Sequence, residues 1–204
     1  MQLVGLLDSP YVRRVAIALK DMQIPFTHAP ISVFRGYDAF AAINPVVKAP
    51  TLVADDGTVL MDSQLILDYV ARLVPEERRL EPSDIGAFAR HQRLTGLALV
   101  ACEKSVALVY ERDLRPAEKR HEPWADRVRA QLVQAYALIE AEIAHTDGWQ
   151  FGPRPTHACI ATAVAWSFTA ALLPEHVDGF AGPRLRAFTH WAEARPAFKT
   201  TPMF

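Results

Sequence analysis

The chain has 204 residues, half of them apolar and 22% charged, with a formal net charge of −1. That length suits one large domain or two small ones, each with its own core, and the balance of acids and bases, with no basic stripe, argues against a nucleic-acid partner. No apolar run approaches the roughly 20 residues that span a bilayer, and no basic segment followed by a long apolar core opens the chain, so a cytoplasmic protein is expected. Its two cysteines, Cys102 and Cys159, fall inside helical patterns, which excludes a disulfide framework and a CxxC motif. Histidines show no HExxH or His-x-His spacing, and no metal site is expected.

The first elements alternate. "QLVGLL" reads as a strand. Ser9 and Pro10 then read as the N-cap and first residue of a helix in which Val12, Val15, Ala16, Leu19 and Met22 recur at helical spacing. Arg13, Arg14, Lys20 and Asp21 fall on the other side and read as solvent-facing. "PFTHAPI" is a second strand, so strand, helix and strand form a right-handed parallel unit. After a short segment at 37–42, "PTLVA" and "VLM" flank the turn residues Asp56 and Gly57, a hairpin signal that makes the sheet mixed. Asp62 and Ser63 open a further helix with Leu65, Ile66, Tyr69, Val70 and Leu73 on one face.

"VPEERRLEPSDIG" breaks this pattern and reads as a linker ending in a helix cap at Ser83 or Asp84. Beyond it only helices are expected, over 85–114, 123–145, 156–173 and 183–195. In the second of these Trp124, Val128, Leu132, Ala135, Ile139 and Ile143 follow the 3.6-residue period. The expected domains are therefore 1–75, α/β, and 84–204, all helical.

Three features of the first domain carry chemistry. Ser9 opens one helix, and Asp62 with Ser63 opens another; helix N-termini carry unpaired N–H groups and partial positive charge that favour an anionic ligand. Ala49-Pro50 directly precedes a strand, and an X-Pro bond there can be cis, turning the backbone of residue 49 outward. Taken alone, Ser9 reads as a cap and Lys48 as a solvated lysine.

In this order and spacing, "SPYVRRV", "NPVVKAPTLV", "DSQLILDYV" and "ARPAFKTTP" resemble the bacterial cytosolic glutathione S-transferases over essentially the whole chain. The resemblance implies a thioredoxin-like N-terminal domain followed by an all-α domain, with glutathione as co-substrate and no metal. It implies that Ser9 donates its hydroxyl proton toward the glutathione sulfur and that the main chain of Ala49 pairs with the cysteinyl backbone. Asp62 and Ser63 would hold the γ-glutamyl amine and carboxylate, and Lys48 would lie near the glycyl carboxylate. The implied reaction directs the glutathione thiolate at small hydrophobic electrophiles. Candidates for the electrophile pocket are Tyr11, Phe34, Cys102, Ser105, Val109 and Tyr110. A homodimer is implied, with Tyr69 and Phe88 contributing to its seam.

Two positions depart from the family pattern. Ala49 stands where Val is usual, and "THAC", Thr156 to Cys159, lacks the acidic residue that returns the N-cap bond, a loss of about 1 kcal/mol. Cys159 then reads as a buried small hydrophobe. Other activities stay open: a glutathione-binding or interaction protein without catalysis, a glutathione-dependent reductase or peroxidase, which would want Cys at position 9, and an isomerase, whose serine-rich opening is absent.

Overall fold

The computed structural model describes residues 1–144 and 154–204, so the expected helix end at residue 145 lies outside the described residues. Its elements run β1 (Gln2–Val4), α1 (Pro10–Asp21), β2 (Thr27–Ala29), α2 (Tyr37–Ala41), β3 (Thr51–Val53), β4 (Val59–Met61) and α3 (Ser63–Ala71), followed by α4 (Ile85–Asp113), α5 (Glu122–Ala144), α6 (His157–Leu172), α7 (Pro174–Val177), α8 (Pro183–Glu193) and α9 (Pro196–Lys199). The chain divides into two compact units, residues 1–80 with 194–204, and residues 81–193. The last eleven residues, expected with the helical domain, group with the first unit, because α9 and its tail fold back onto α1.

The sheet of the first unit is mixed, in the order β2-β1-β3-β4, with β2 parallel to β1 and the other pairs antiparallel. The β3–β4 turn is closed at Gly57, whose φ of 87° suits a residue without Cβ, and Thr58 N donates to Asp56 Oδ1 at 2.9 Å. On α1 the expected apolar stripe is buried, Val12, Val15 and Leu19 completely, each such side chain stabilising the fold by roughly 1.5–3 kcal/mol.

Arg13 and Arg14 are not solvent-facing as their spacing suggests; they are 3% and 1% exposed. Arg13 Nε donates to the Thr201 carbonyl at 2.9 Å and its guanidinium lies over the Phe198 ring, while Arg14 reaches α3. Lys20 Nζ donates to the Thr200 carbonyl at 2.7 Å. The partners of all three lie far along the chain, where a local pattern does not see them. On α3 the expected five-residue face splits. Ile66 and Val70 are buried with Ser63 and Leu67, whereas Leu65 is 62% and Leu73 49% exposed. Positions 63, 66, 67 and 70 follow one inward stripe of the helix; 65, 69 and 73 follow another.

In the second unit Asp84, not Ser83, caps α4, accepting from Ala87 N at 2.8 Å. Helices α4 and α6 run parallel, with His91 beside His157 at one end and Ser105 Oγ 2.6 Å from Thr169 Oγ1 at the other. Tyr136 of α5 joins this second contact, donating its hydroxyl to the Ala165 carbonyl at 2.9 Å, and burial pushes its pKa up. On α5 Val128, Leu132, Ala135, Ile139 and Ile143 are buried as their period predicts; Trp124, in the first turn, is half exposed. Glu140 caps α8 from outside, its carboxylate accepting from Arg184 N at 3.1 Å and Leu185 N at 2.7 Å. Cys102 and Cys159 are thiols, each 1% exposed. Thr156 caps α6 by accepting from Cys159 N at 3.3 Å, and its hydroxyl donates to Cys159 Sγ at 3.3 Å, a contact that does not replace the backbone bond the missing acid would accept.

Candidate functional site

The strand register assembles the site. Val4, at the end of β1, pairs with Thr51, at the start of β3, and Thr51 pairs with Met61, at the end of β4. The segments just past Val4, just before Thr51 and just past Met61 therefore leave the sheet at one edge. Those segments carry Ser9, Lys48 with Ala49, and Asp62 with Ser63.

Each segment is held by its own contacts. Gly5, at φ 134°, leaves β1 where a Cβ would meet Val12 Cγ2 at 2.6 Å and Ala49 Cβ at 3.2 Å, so glycine lets the loop toward Ser9 lie against Ala49. The Gly5 carbonyl is bonded to His28 Nε2 at 2.7 Å. Ser9 is the N-cap of α1, its Oγ accepting from Val12 N at 3.4 Å. A hydroxyl that accepts there keeps its proton for another acceptor.

The Ala49-Pro50 peptide is cis. The loop before it is held by Asn44, 2% exposed, whose Nδ2 donates to Thr51 Oγ1 at 2.8 Å, and by Thr51, whose hydroxyl donates to the Lys48 carbonyl at 2.7 Å. Ala49 is half-buried and Lys48 exposed at its lip. Asp62 has a φ of 70°, a positive value uncommon for any residue with a Cβ. One of its oxygens caps α3 by accepting from Gln64 N at 2.8 Å; the carboxylate is otherwise exposed. Ser63 is 4% exposed and accepts from Arg14 Nη1 at 2.9 Å.

This edge offers two helix N-termini, a carboxylate, a lysine and the half-buried main chain at Ala49. It suits a ligand with an ammonium, carboxylates and a peptide backbone. A sequence model of the glutathione S-transferase N-terminal domain matches residues 3–78. A glutathione transferase family member from Pseudomonas fluorescens Pf-5, crystallised with bound glutathione, is 30% identical, with a TM-score of 0.82 over 98% of this chain and 97% of that one. The chain belongs to the glutathione S-transferase family. A glutathione S-transferase from Methylobacterium radiotolerans, in complex with glutathione sulfonate, is 26% identical with a TM-score of 0.88, covering 98% of this chain and 93% of that chain. The maleylacetoacetate isomerase of Pseudomonas aeruginosa is 28% identical over 202 residues, 94% of this chain and 89% of that protein.

Within this glutathione S-transferase fold the electrophile candidates separate. Cys102 and Ser105 are 1% and 0% exposed, sealed in the packing of the helical unit with Ser105 bonded to Thr169, and present no side chain to a ligand. The family resemblance placed them among the electrophile contacts; the packing of α4 against α5 and α6 takes both into the core of the helical unit. Phe34 and Tyr110 are exposed, Tyr11 and Val109 half-buried. Tyr110 borders an open cleft of about 490 Å³ whose walls include Leu114, Trp124, Arg115 and Lys119. Among the described residues no group of three or more His, Cys, Asp or Glu side chains is gathered as a metal site would require, and no helix is long and apolar enough to cross a membrane.

Sequence reasoning missed Asn44, Thr51, His28 and Arg14. Asn44 and Thr51 flank the "NPVVKAPT" motif and carried a signal in their polarity beside apolar neighbours. Arg14 carried none, because an arginine at helical spacing reads the same whether its partner is water or a distant serine.

Proposed function

We propose that the protein is a glutathione transferase that binds glutathione along this sheet edge and directs its thiolate at small hydrophobic electrophiles. The observation that carries the reading is the Val4–Thr51–Met61 register, from which the three segments bearing Ser9, Lys48 with Ala49, and Asp62 with Ser63 all leave the sheet at one edge. Asp62 would take the ammonium, Ser63 and the N-terminus of α3 the γ-glutamyl carboxylate, the main chain of Ala49 the cysteinyl amide, and Lys48 the glycyl carboxylate. Ser9 would donate its hydroxyl hydrogen to the sulfur, lowering the thiol pKa so that thiolate is present near neutral pH. The thiolate then forms a carbon–sulfur bond to the electrophile as the leaving group departs with the bonding pair. Tyr11, Phe34, Val109 and Tyr110 remain the candidates for contact with that electrophile, and their apolar surfaces favour a hydrophobic one. A cytoplasmic, homodimeric protein fits this reading; the exposed Leu65 on α3 and Leu73 just past its C-terminus are apolar side chains suited to a second copy.

Calorimetry with glutathione, followed by turnover with 1-chloro-2,4-dinitrobenzene, tests the reading. Binding with turnover supports it. Binding without turnover leaves a glutathione-binding protein of the same fold, and absence of binding removes the site. A second reading, glutathione-dependent isomerisation, is favoured by the likeness to the Pseudomonas aeruginosa isomerase. It predicts turnover of a cis-alkene substrate without net consumption of glutathione. Reduction of disulfides or peroxides is less well supported, since Ser rather than Cys stands at position 9.

A further inference from the structure

We infer that Arg14 is a positioning residue for the γ-glutamyl carboxylate of glutathione, acting through Ser63; the inference rests on the role proposed above for Ser63. Arg14 lies on α1, yet its guanidinium, in a residue 1% exposed, donates from Nη1 to Ser63 Oγ at 2.9 Å and from Nη2 to Gln64 Oε1 at 3.2 Å. Both acceptors belong to the first turn of α3.

A guanidinium has only donors. At this contact Ser63 must therefore accept, and its single hydroxyl proton is turned away from Arg14 toward another acceptor. A hydroxyl that accepts from a cation is a stronger donor in turn. Ser63 is also the first residue of α3, so its own N–H is among those a helix leaves without an intrahelical acceptor. Hydroxyl and amide of one residue are thus both available to one carboxylate, with a cation set behind them.

The charge itself contributes. A cation in the opening turns of α1 sits where the helix dipole disfavours it, and here it also lies at the positive end of α3. In the low-dielectric interior its field reaches further than it would in water, and an arriving carboxylate meets the fields of both. The second arm of the fork orders Gln64, whose Nε2 passes on to Asp68 Oδ1 at 2.9 Å, so the turn that presents Ser63 is held from two sides. A lysine keeps the charge but cannot bridge two acceptors with a planar fork.

The test compares calorimetric affinities for two ligands, glutathione and 4-aminobutanoyl-cysteinyl-glycine, which keeps the amine, thiol and glycyl end but lacks the γ-glutamyl carboxylate. Arg14→Met is expected to weaken glutathione roughly tenfold while leaving the analogue within about twofold. Arg14→Lys should fall between, and Arg14→Met combined with Ser63→Ala should cost little more than either change alone, because the two act as one unit. Equal weakening of both ligands, or losses that multiply in the double variant, would reduce Arg14 to a packing tie between two helices. Should Arg14→Met fail to fold, Arg14→Lys decides by the same ratio of affinities. A wild-type protein that binds no glutathione removes the role of Ser63 itself, whereas wild-type binding with an unchanged ratio in the variants removes Arg14 alone.

Discussion

Ser9 Oγ and the backbone nitrogen of Val12 stand 3.4 Å apart, beyond the usual 2.7–3.2 Å of an N–H···O hydrogen bond. The cap is a weak one, and this separates it from the thiolate role proposed for Ser9. Loss of the hydroxyl in Ser9→Ala should cost less than the roughly 1 kcal/mol typical of a cap. It should raise the pKa of the bound glutathione thiol by about one to two units. At neutral pH kcat should fall roughly ten- to a hundredfold with KM nearly unchanged, and part of the loss should return at alkaline pH as the thiol ionises unaided. Titration of the thiolate absorbance in wild type and variant measures this; a thiol pKa that stays put would leave Ser9 a cap alone.

Asp62 caps α3 and, in the function proposed above, would also hold the ligand ammonium; two substitutions divide these tasks. Asp62→Asn keeps an oxygen able to accept from Gln64 N and tolerates the positive φ, so melting should hardly move. The anionic partner of the ligand ammonium is lost, and KM for glutathione should rise by the equivalent of roughly 1.5–3 kcal/mol, with kcat little affected. Asp62→Ala should show the same rise in KM together with a lower melting temperature. Steady-state kinetics with glutathione as the varied substrate gives the split.

Light scattering at micromolar concentration should report twice the chain mass. Leu65 is 62% exposed on α3, where a surface substitution in a monomer would change stability by only about 0.5 kcal/mol. If it is covered by a second copy, Leu65→Glu should return a monomer with unaltered circular dichroism. A wild type of single mass would take away the proposed seam.

His176 gives the helical unit a pH dependence. Burial pushes its pKa below the ordinary 6.5, and Arg129 and Arg112 push the same way against the opposing Glu175. The unfolded chain therefore takes up the proton more readily than the folded one. The stability contributed by neutral His176 is complete above pH 6.5 and declines as pH falls below it. Denaturant midpoints recorded between pH 7.5 and 5.5 should fall, and less steeply in His176→Asn; identical slopes would assign the acid sensitivity elsewhere.

The sequence alone determined the order of the strands and longer helices, because alternation, helical period and caps are local: the Ser9-Pro10 opening, the Asp56-Gly57 turn and the buried α1 stripe stand where their residue types require, whereas α7 and α9, four residues each, are too short to show a period. The motifs of the candidate site were legible for the same reason, as caps and a proline at characteristic places, and their order carried the family. Tertiary structure decided what depends on partners distant in sequence. It buried Arg13 and Arg14 against Thr201 and Ser63, and it drew Cys102 and Ser105 into the core while leaving Leu65 and Leu73 outside. It also returned the last eleven residues to the first unit. A helical period shows that a residue has a face; only the packed neighbour settles whether that face meets water, carbon or a hydrogen-bond acceptor.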